Sequence, residues 1–396
     1  MRLRELLSAP TAPAPSWLMA AAALMCAAAP ARSQTDGSPV AIGTYRVLHS
    51  AILGEDRVLQ VHLPESYRAG RSAYPVVYLF YSDAVDEYFA QLVTDLSLLT
   101  ADRMPETILV GIPNTQRYRD LLPWPRARGQ PGDGHADVFL RFVREELIPF
   151  VEREYRTKAY RILVGPQAAA VFGIYSLLEA PGTFRAFVLN DPCQADGRQR
   201  SLCRDLQAFA RTPAARGVYF AVSDNEAERR WDRRPLEELR TALQSNAAPG
   251  FRWRIELERD WPFFLEPLAT RAALLDLFRD YPFPSPERAG SLAEIRAHYD
   301  SLTAALGFSV DPPDLVLTLA GSSLMDRGTY PAALEVLNHL AALYPASLNG
   351  PWHLANLHRL MGDTATAVRY YEECLRRNPG MNPARDWIRR LGAGRP

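Results

Sequence analysis

Serine chemistry on a parallel sheet depends on a single turn. In the motif G-x-S-x-G a strand enters a sharp elbow and leaves it as a helix. The serine sits on the elbow, and small neighbours let strand and helix close on each other. Residues Arg161 to Tyr175 read Arg-Ile-Leu-Val-Gly-Pro-Gln-Ala-Ala-Ala-Val-Phe-Gly-Ile-Tyr and have that layout. Gly165 keeps the first glycine, Gln167 stands where the serine belongs, and Ala169 replaces the second glycine. A carboxamide is neither a usable nucleophile nor a base, so the elbow is written without its reagent. No histidine occurs between His135 and His298. Ser82, Ser176 and Ser223 offer hydroxyls, but none has glycine neighbours, and each reads more simply as a turn or helix hydroxyl. His135, in Gly132-Asp-Gly-His135, falls where such loops approach a pocket; the simpler reading is a solvated imidazole.

The elements that must position this elbow follow from apolar patterning. Tyr45 to Leu63 alternates around Gly54-Glu55-Asp56 and predicts an antiparallel hairpin. Tyr74 to Phe80 and Thr107 to Ile112 are short apolar runs of the kind buried on both faces of a parallel sheet. Val85 to Thr100 and Ala136 to Tyr155 read as helices, the second with a bend at Pro149. Further strands are expected at Arg161–Val164, Ala186–Leu189, Gly217–Val222 and Phe251–Glu258, with helices at Leu236–Gln244 and Leu268–Phe278. Strands alternating with helices predict a doubly wound α/β fold with a mainly parallel sheet.

Tyr281-Pro-Phe-Pro-Ser-Pro286 ends that pattern, and the remainder is helical. Gly328 and Gly362, Ala333 and Ala367, and Pro345 and Pro379 recur every 34 residues, the tetratricopeptide period. Two repeats fit, about 314–347 and 348–381, with helices at 292–306 and 386–391 as caps. A peptide-binding groove and a helical annex on the sheet domain satisfy the pattern equally. The chain divides into residues 1–33, 40–282 (the α/β domain) and 290–391 (the all-α domain).

Residues 1–33 have the order of a secretory signal peptide. Arg2 and Arg4 precede an apolar run from Trp17 to Ala29, and small residues follow. That run is short for a bilayer span, so export to the periplasm or beyond, with no membrane span after cleavage, is the expectation. Outside the cytosol thiols can pair, and Cys193 with Cys203 is the candidate disulfide in what reads as a loop. Cys374 falls on a predicted helix as a buried apolar residue. The 45 basic and 45 acidic side chains balance to zero net charge, which gives no nucleic-acid footprint. No cysteine and histidine cluster has ligand spacing, so neither a metal nor a cofactor is expected.

Taken together, these pieces resemble the secreted esterases related to siderophore esterases, an α/β-hydrolase family, in the form that carries C-terminal tetratricopeptide repeats. The landmarks are His49-Ser-Ala-Ile-Leu-Gly-Glu-Asp-Arg57, Val110 to Arg117 with Arg119-Asp120 and Pro123, and Phe139-Leu-Arg-Phe with Glu146-Leu-Ile-Pro149. The resemblance implies a Ser, His and acid triad and a G-H-S-x-G-G elbow. Against that pattern Pro166 lies at a histidine, Gln167 at the nucleophile, and Ala169 and Ala170 at glycines. Trp261, in Asp260-Trp-Pro-Phe-Phe-Leu265, lies at the catalytic histidine. The acid survives at best as Asp224 or Glu226. Oxyanion donors would be the N–H groups of Ala168 and of Ser82 or a neighbour, with Tyr81, Asp83, His135, Pro166 and Phe263 lining the pocket. The reading is an exported hydrolase scaffold without ester chemistry that binds a small ligand or a protein, with the repeats recruiting a peptide partner. The alternative is an active carboxylic-ester hydrolase with an unconventional nucleophile.

Overall fold

The computed structural model describes residues 41–68, 71–80, 86–97, 102–113, 116–126, 132–192, 197–225, 234–258 and 262–393. The signal-like run, Tyr81, Ser82, Asp83, Cys193, Glu226 and Trp261 lie outside them.

The chain opens with a hairpin, β1 (Thr44–Ser50) and β2 (Glu55–His62), paired antiparallel from Thr44↔Val61 to Ser50↔Glu55. There follow β3 (Tyr74–Phe80), α1 (Asp86–Ser97), β4 (Ile108–Ile112), a short α2 (Arg117–Leu121) and α3 (Ala136–Phe142). A π-helical turn, Val143–Leu147, joins α3 to α4 (Ile148–Glu154). The helix expected over 136–155 is thus interrupted one turn before Pro149. That residue follows directly on the π turn in a continuous helical run, where its missing N–H and its ring break the regular ladder of the helix. β5 (Thr157–Pro166), α5 (Ala168–Glu179), β6 (Ala186–Asn190), α6 (Gly197–Phe209), β7 (Tyr219–Asn225), α7 (Arg234–Asn246), β8 (Arg252–Glu258) and α8 (Pro262–Leu277) complete the α/β part.

The eight strands form one sheet in the order β1-β2-β4-β3-β5-β6-β7-β8. β2 runs antiparallel to its neighbours, and every pairing from β4 to β8 is parallel. All residues of β3, β4 and β6 are buried, as strands covered on both faces require. One face is packed by an aromatic cluster in which Phe80, Phe139 and Phe172 meet at centroid separations of 5.3–6.0 Å. Two expectations need correction. Cys203 lies on α6 rather than in a loop, with Leu202, Cys203, Leu206 and Ala210 buried on its inner face. The helix expected from Leu268 starts earlier, at Pro262, so that Phe263 lies in the first turn of α8.

Two compact units result. One holds Val40–Pro282 together with Ser301–Val310. The segment 301–310 joins this unit through Phe308, whose ring lies 4.8 Å from that of Tyr160. The other unit holds Phe283–Asp300 and the chain from Asp311 onward. Its helices are α9 (Leu292–Leu306, the first part of it), α10 (Asp314–Asp326), α11 (Tyr330–Leu343), α12 (Asn349–Leu360), α13 (Thr364–Arg377) and α14 (Asn382–Ala393). α11 and α13 begin 34 residues apart. Gly328 and Gly362 occupy equivalent turns with φ of 72° and 81°, a conformation that favours glycine. Ala355, Ala367, Tyr371 and the free thiol of Cys374 are fully buried in its core. Burial pushes that thiol up to about 12.

Candidate functional site

The elbow is present. β5 stays buried through Pro166, which pairs with Asn190 of β6, and the Gln167 N–H donates to the Asn190 carbonyl at 2.7 Å. Gln167 itself has φ 52° and ψ −113°. That is the geometry of the first central residue of a type II′ turn, which glycine favours. α5 starts at the next residue, with the Val171 N–H bonded back to the Gln167 carbonyl at 3.1 Å. The approach of strand and helix is close. A Cβ on Gly165 would fall 2.7 Å from the Ala169 Cβ, and one on Gly173 2.5 Å from Leu189. Gln167 is exposed at the tip of the turn, while Ala169 and Ala170 are fully buried beneath it. Ala168 is the first residue of a 12-residue helix, so its N–H has no acceptor within the helix. It points the positive end of the helix dipole toward the elbow. The elbow thus sets one helix-terminal backbone donor beside the exposed carboxamide of Gln167.

The histidines lie on several different elements. The chain has seven histidines, and all are among the described residues. His49 pairs with Asp56 across the hairpin at 2.7 Å. His62 sits between the Ile42 carbonyl and the Thr94 Oγ1. His135 is exposed at the start of α3 and makes no side-chain cap. Its backbone N–H donates to the Arg119 carbonyl at 2.7 Å. The other four lie on α9, α11 and α12. Ser322 Oγ and His353 Nδ1 share a hydrogen bond of 3.1 Å between α10 and α12. Both side chains are buried in the helical unit rather than at the sheet edge. Burial alone pushes His353 down to about 4, and no carboxylate acts on it.

The substitute hydroxyls are committed. Ser176 Oγ donates to the Gly173 carbonyl within α5, and Ser223 Oγ donates to Asn190 Oδ1 at 2.6 Å in a buried pair. Asp224 belongs to β7, which runs to Asn225, rather than to a loop after it; its backbone registers with Leu257.

The landmark residues have a shared structural task. Arg57, 3% exposed, donates through Nη2 to Asp120 Oδ2 at 2.6 Å, and the same nitrogen lies 2.6 Å from Glu55 Oε1. Arg119 bridges Glu55 and Asp120, and its hydrogen bonding holds the Glu55 carboxyl below its ordinary range. Glu146, from the π turn, accepts from Ser50 Oγ and from the N–H groups of Ala51 and Ile52 at 3.0 and 3.1 Å. These contacts tie the hairpin to α2 and to the π turn. A carboxyl absent from the sequence reading is perturbed, at the opposite end of the parallel strands. Asp102, ahead of β4, is pushed up to about 7 by burial and then by the nearby Glu106 charge. Its only sequence signal is a charge beside an apolar run.

Cys203 is disulfide-bonded, and its partner lies outside the described residues. Among those residues no three His, Cys, Asp or Glu side chains are grouped to hold a metal, and no helix is long and apolar enough to cross a membrane.

Comparison with known proteins agrees with this architecture. The chain is 28% identical over 144 residues to the ferri-bacillibactin esterase BesA of Bacillus subtilis, covering 31% of this chain and 48% of that protein. It spans about half the length of the curated relatives it matches. An IroE-like serine hydrolase from Shewanella oneidensis superposes with a TM-score of 0.64 at 23% identity, over 75% of this chain and 98% of that one. An uncharacterised protein from Capnocytophaga ochracea superposes over 88% of this chain and 99% of its own, with a TM-score of 0.58 at 18% identity. At these identities the structural likenesses speak for the fold. Residues 50–245 match the Putative esterase family, and the sheet domain that contains them has an esterase-like α/β-hydrolase fold.

Proposed function

We propose that this protein is an exported hydrolase scaffold that has given up ester cleavage and acts by binding, with its helical unit serving as a tetratricopeptide-like module for a peptide partner. The observation that carries the reading is the elbow. Its turn, its close strand–helix approach and its helix-terminal amide are kept, yet the residue it presents is Gln167. Loss of the serine or of the histidine alone lowers kcat by on the order of a million-fold in a well-studied serine protease, and losing both costs little more. Residual acceleration from backbone donors is about 10³ to 10⁴ over water. With an amide at one position and Trp261 at the position aligned with the histidine, the chain retains at most that remainder. The disulfide at Cys203 supports an oxidising compartment. The 34-residue offset between α11 and α13 supports the repeat assignment.

Turnover of short p-nitrophenyl esters by the purified protein tests this directly. The expected result is a rate no more than about 10⁴ times the spontaneous one. Saturable turnover at the rates of ordinary enzymes, roughly 1 to 10³ per second, would refute it.

A further inference from the structure

We propose that the edge of β1, unpaired among the described residues, pairs with the same strand of a second copy of this chain, so that two sheets join about a two-fold axis through Val47. The two edges of the sheet are treated differently. β8, at one edge, alternates Arg252, Arg254 and Glu256 along one face, and Arg254 and Glu256 form an ion pair at 2.6 Å. Charges of this kind blunt an edge against further pairing. β1, at the other edge, is seven residues long and paired to β2 in unbroken register, without proline or bulge, and its one arginine, Arg46, lies on the face opposite Val47. One of its faces is apolar and open, with Tyr45 71% and Val47 61% exposed. Val58, opposite Val47 on β2, and Ile42 extend that patch, each 44% exposed.

A second copy is the occupant the strand itself selects. Val47 is the middle residue of Thr44–Ser50, so an antiparallel two-fold centred on it pairs all seven residues, Thr44 with Ser50 and Tyr45 with His49. Val47 then meets its own copy on the open face, flanked on each side by Tyr45 against His49. Centring on Arg46 would set two guanidinium groups opposite each other, which is unfavourable. In the Val47 register Arg46 faces Leu48 and keeps its hydrogen bond to the Tyr155 hydroxyl at 3.0 Å. The chain's own preceding segment is a poor rival. Pro30, Asp36, Gly37 and Pro39 punctuate the residues that would have to fold back along β1, and such residues are depleted in strands. An isologous contact of this kind closes on itself and does not propagate.

Sedimentation velocity of the purified protein tests the pairing. Wild type is expected at twice the mass of one chain. Val47→Lys, a change at an exposed side chain, is expected at the mass of one chain with unchanged circular dichroism and melting temperature. Arg254→Gln on the other edge is expected to remain dimeric. Val47→Cys, which sits on the axis, is expected to give a covalent dimer that reductant dissolves. A monomeric wild type, a dimer that survives Val47→Lys, or a dimer that Val47→Cys fails to cross-link would each overturn the proposal.

Discussion

Replacing Gln167 by glycine removes a Cβ from a residue held at φ 52° and ψ −113°. Residues in sparsely populated backbone regions cost about 1–3 kcal/mol each, held in place by their surroundings. Here the Asn190 bond to the Gln167 N–H and the start of α5 supply that hold. Glycine adopts the conformation freely but adds about 0.4–1 kcal/mol of chain entropy to the unfolded state. The carboxamide is exposed, so its loss removes little packing. The net expectation is a stabilisation of about 1 kcal/mol, which for a domain of this size raises Tm by roughly 2–4 °C. Gln167→Val should move the other way, because a β-branched residue is a genuine outlier at positive φ. Calorimetry of the three proteins at one pH is the assay. A glycine variant that melts lower than wild type, with valine tolerated, would show that the turn is not strained and that the elbow has relaxed.

Three further outcomes follow from other parts of the molecule. Asp120→Ala leaves the buried Arg57 guanidinium with only the half-buried Glu55 of its two carboxylates, and breaking a buried pair costs up to about 3–5 kcal/mol; urea unfolding should show it, and Arg57→Met combined with Asp120→Leu should recover much of the loss. The His353 imidazole is neutral when folded and lowered from 6.5 to about 4. The unfolded chain therefore binds the extra proton between those values. That contribution is complete above pH 6.5 and falls by about 3 kcal/mol as the pH drops to 4; His353→Leu should flatten this part of the stability–pH curve. Gln167→Ser alone should leave ester turnover at the wild-type level, because the triad acts as a unit and Trp261 stands where the resemblance puts its imidazole; a rise of a hundred-fold would mean that a base is already in place.

Much of the fold is written in local pattern. β3, β4 and β6 read as strands because both of their faces are buried, which leaves uninterrupted apolar runs such as Ile108–Ile112. The elbow is legible because Gly165 and Ala169 are small for a reason that a strand-to-helix contact supplies. What escaped the pattern is short or masked by charge. α2 has five residues, too few to show a period. α6 reads Gly-Arg-Gln-Arg-Ser-Leu-Cys-Arg, and its arginines hide the four-residue spacing of Leu202, Leu206 and Ala210 that buries it. The π turn at Val143–Leu147 keeps a near-helical apolar spacing, so a bend could be placed only at the proline that follows. The hairpin clamp around Arg57 joins residues 63 and 96 positions apart, Arg57 to Asp120 and Ser50 to Glu146. Sequence spacing carries no information over such separations, and the same residues served only as marks of kinship.

The central claim concerns an amide at Gln167 where a nucleophile would have to be. Intact-mass spectrometry of the protein after exposure to a fluorophosphonate reads it directly, since that reagent modifies an activated serine covalently. The account predicts an unmodified mass at times that fully label an active serine esterase. A single adduct that maps to one serine of the α/β domain would contradict it.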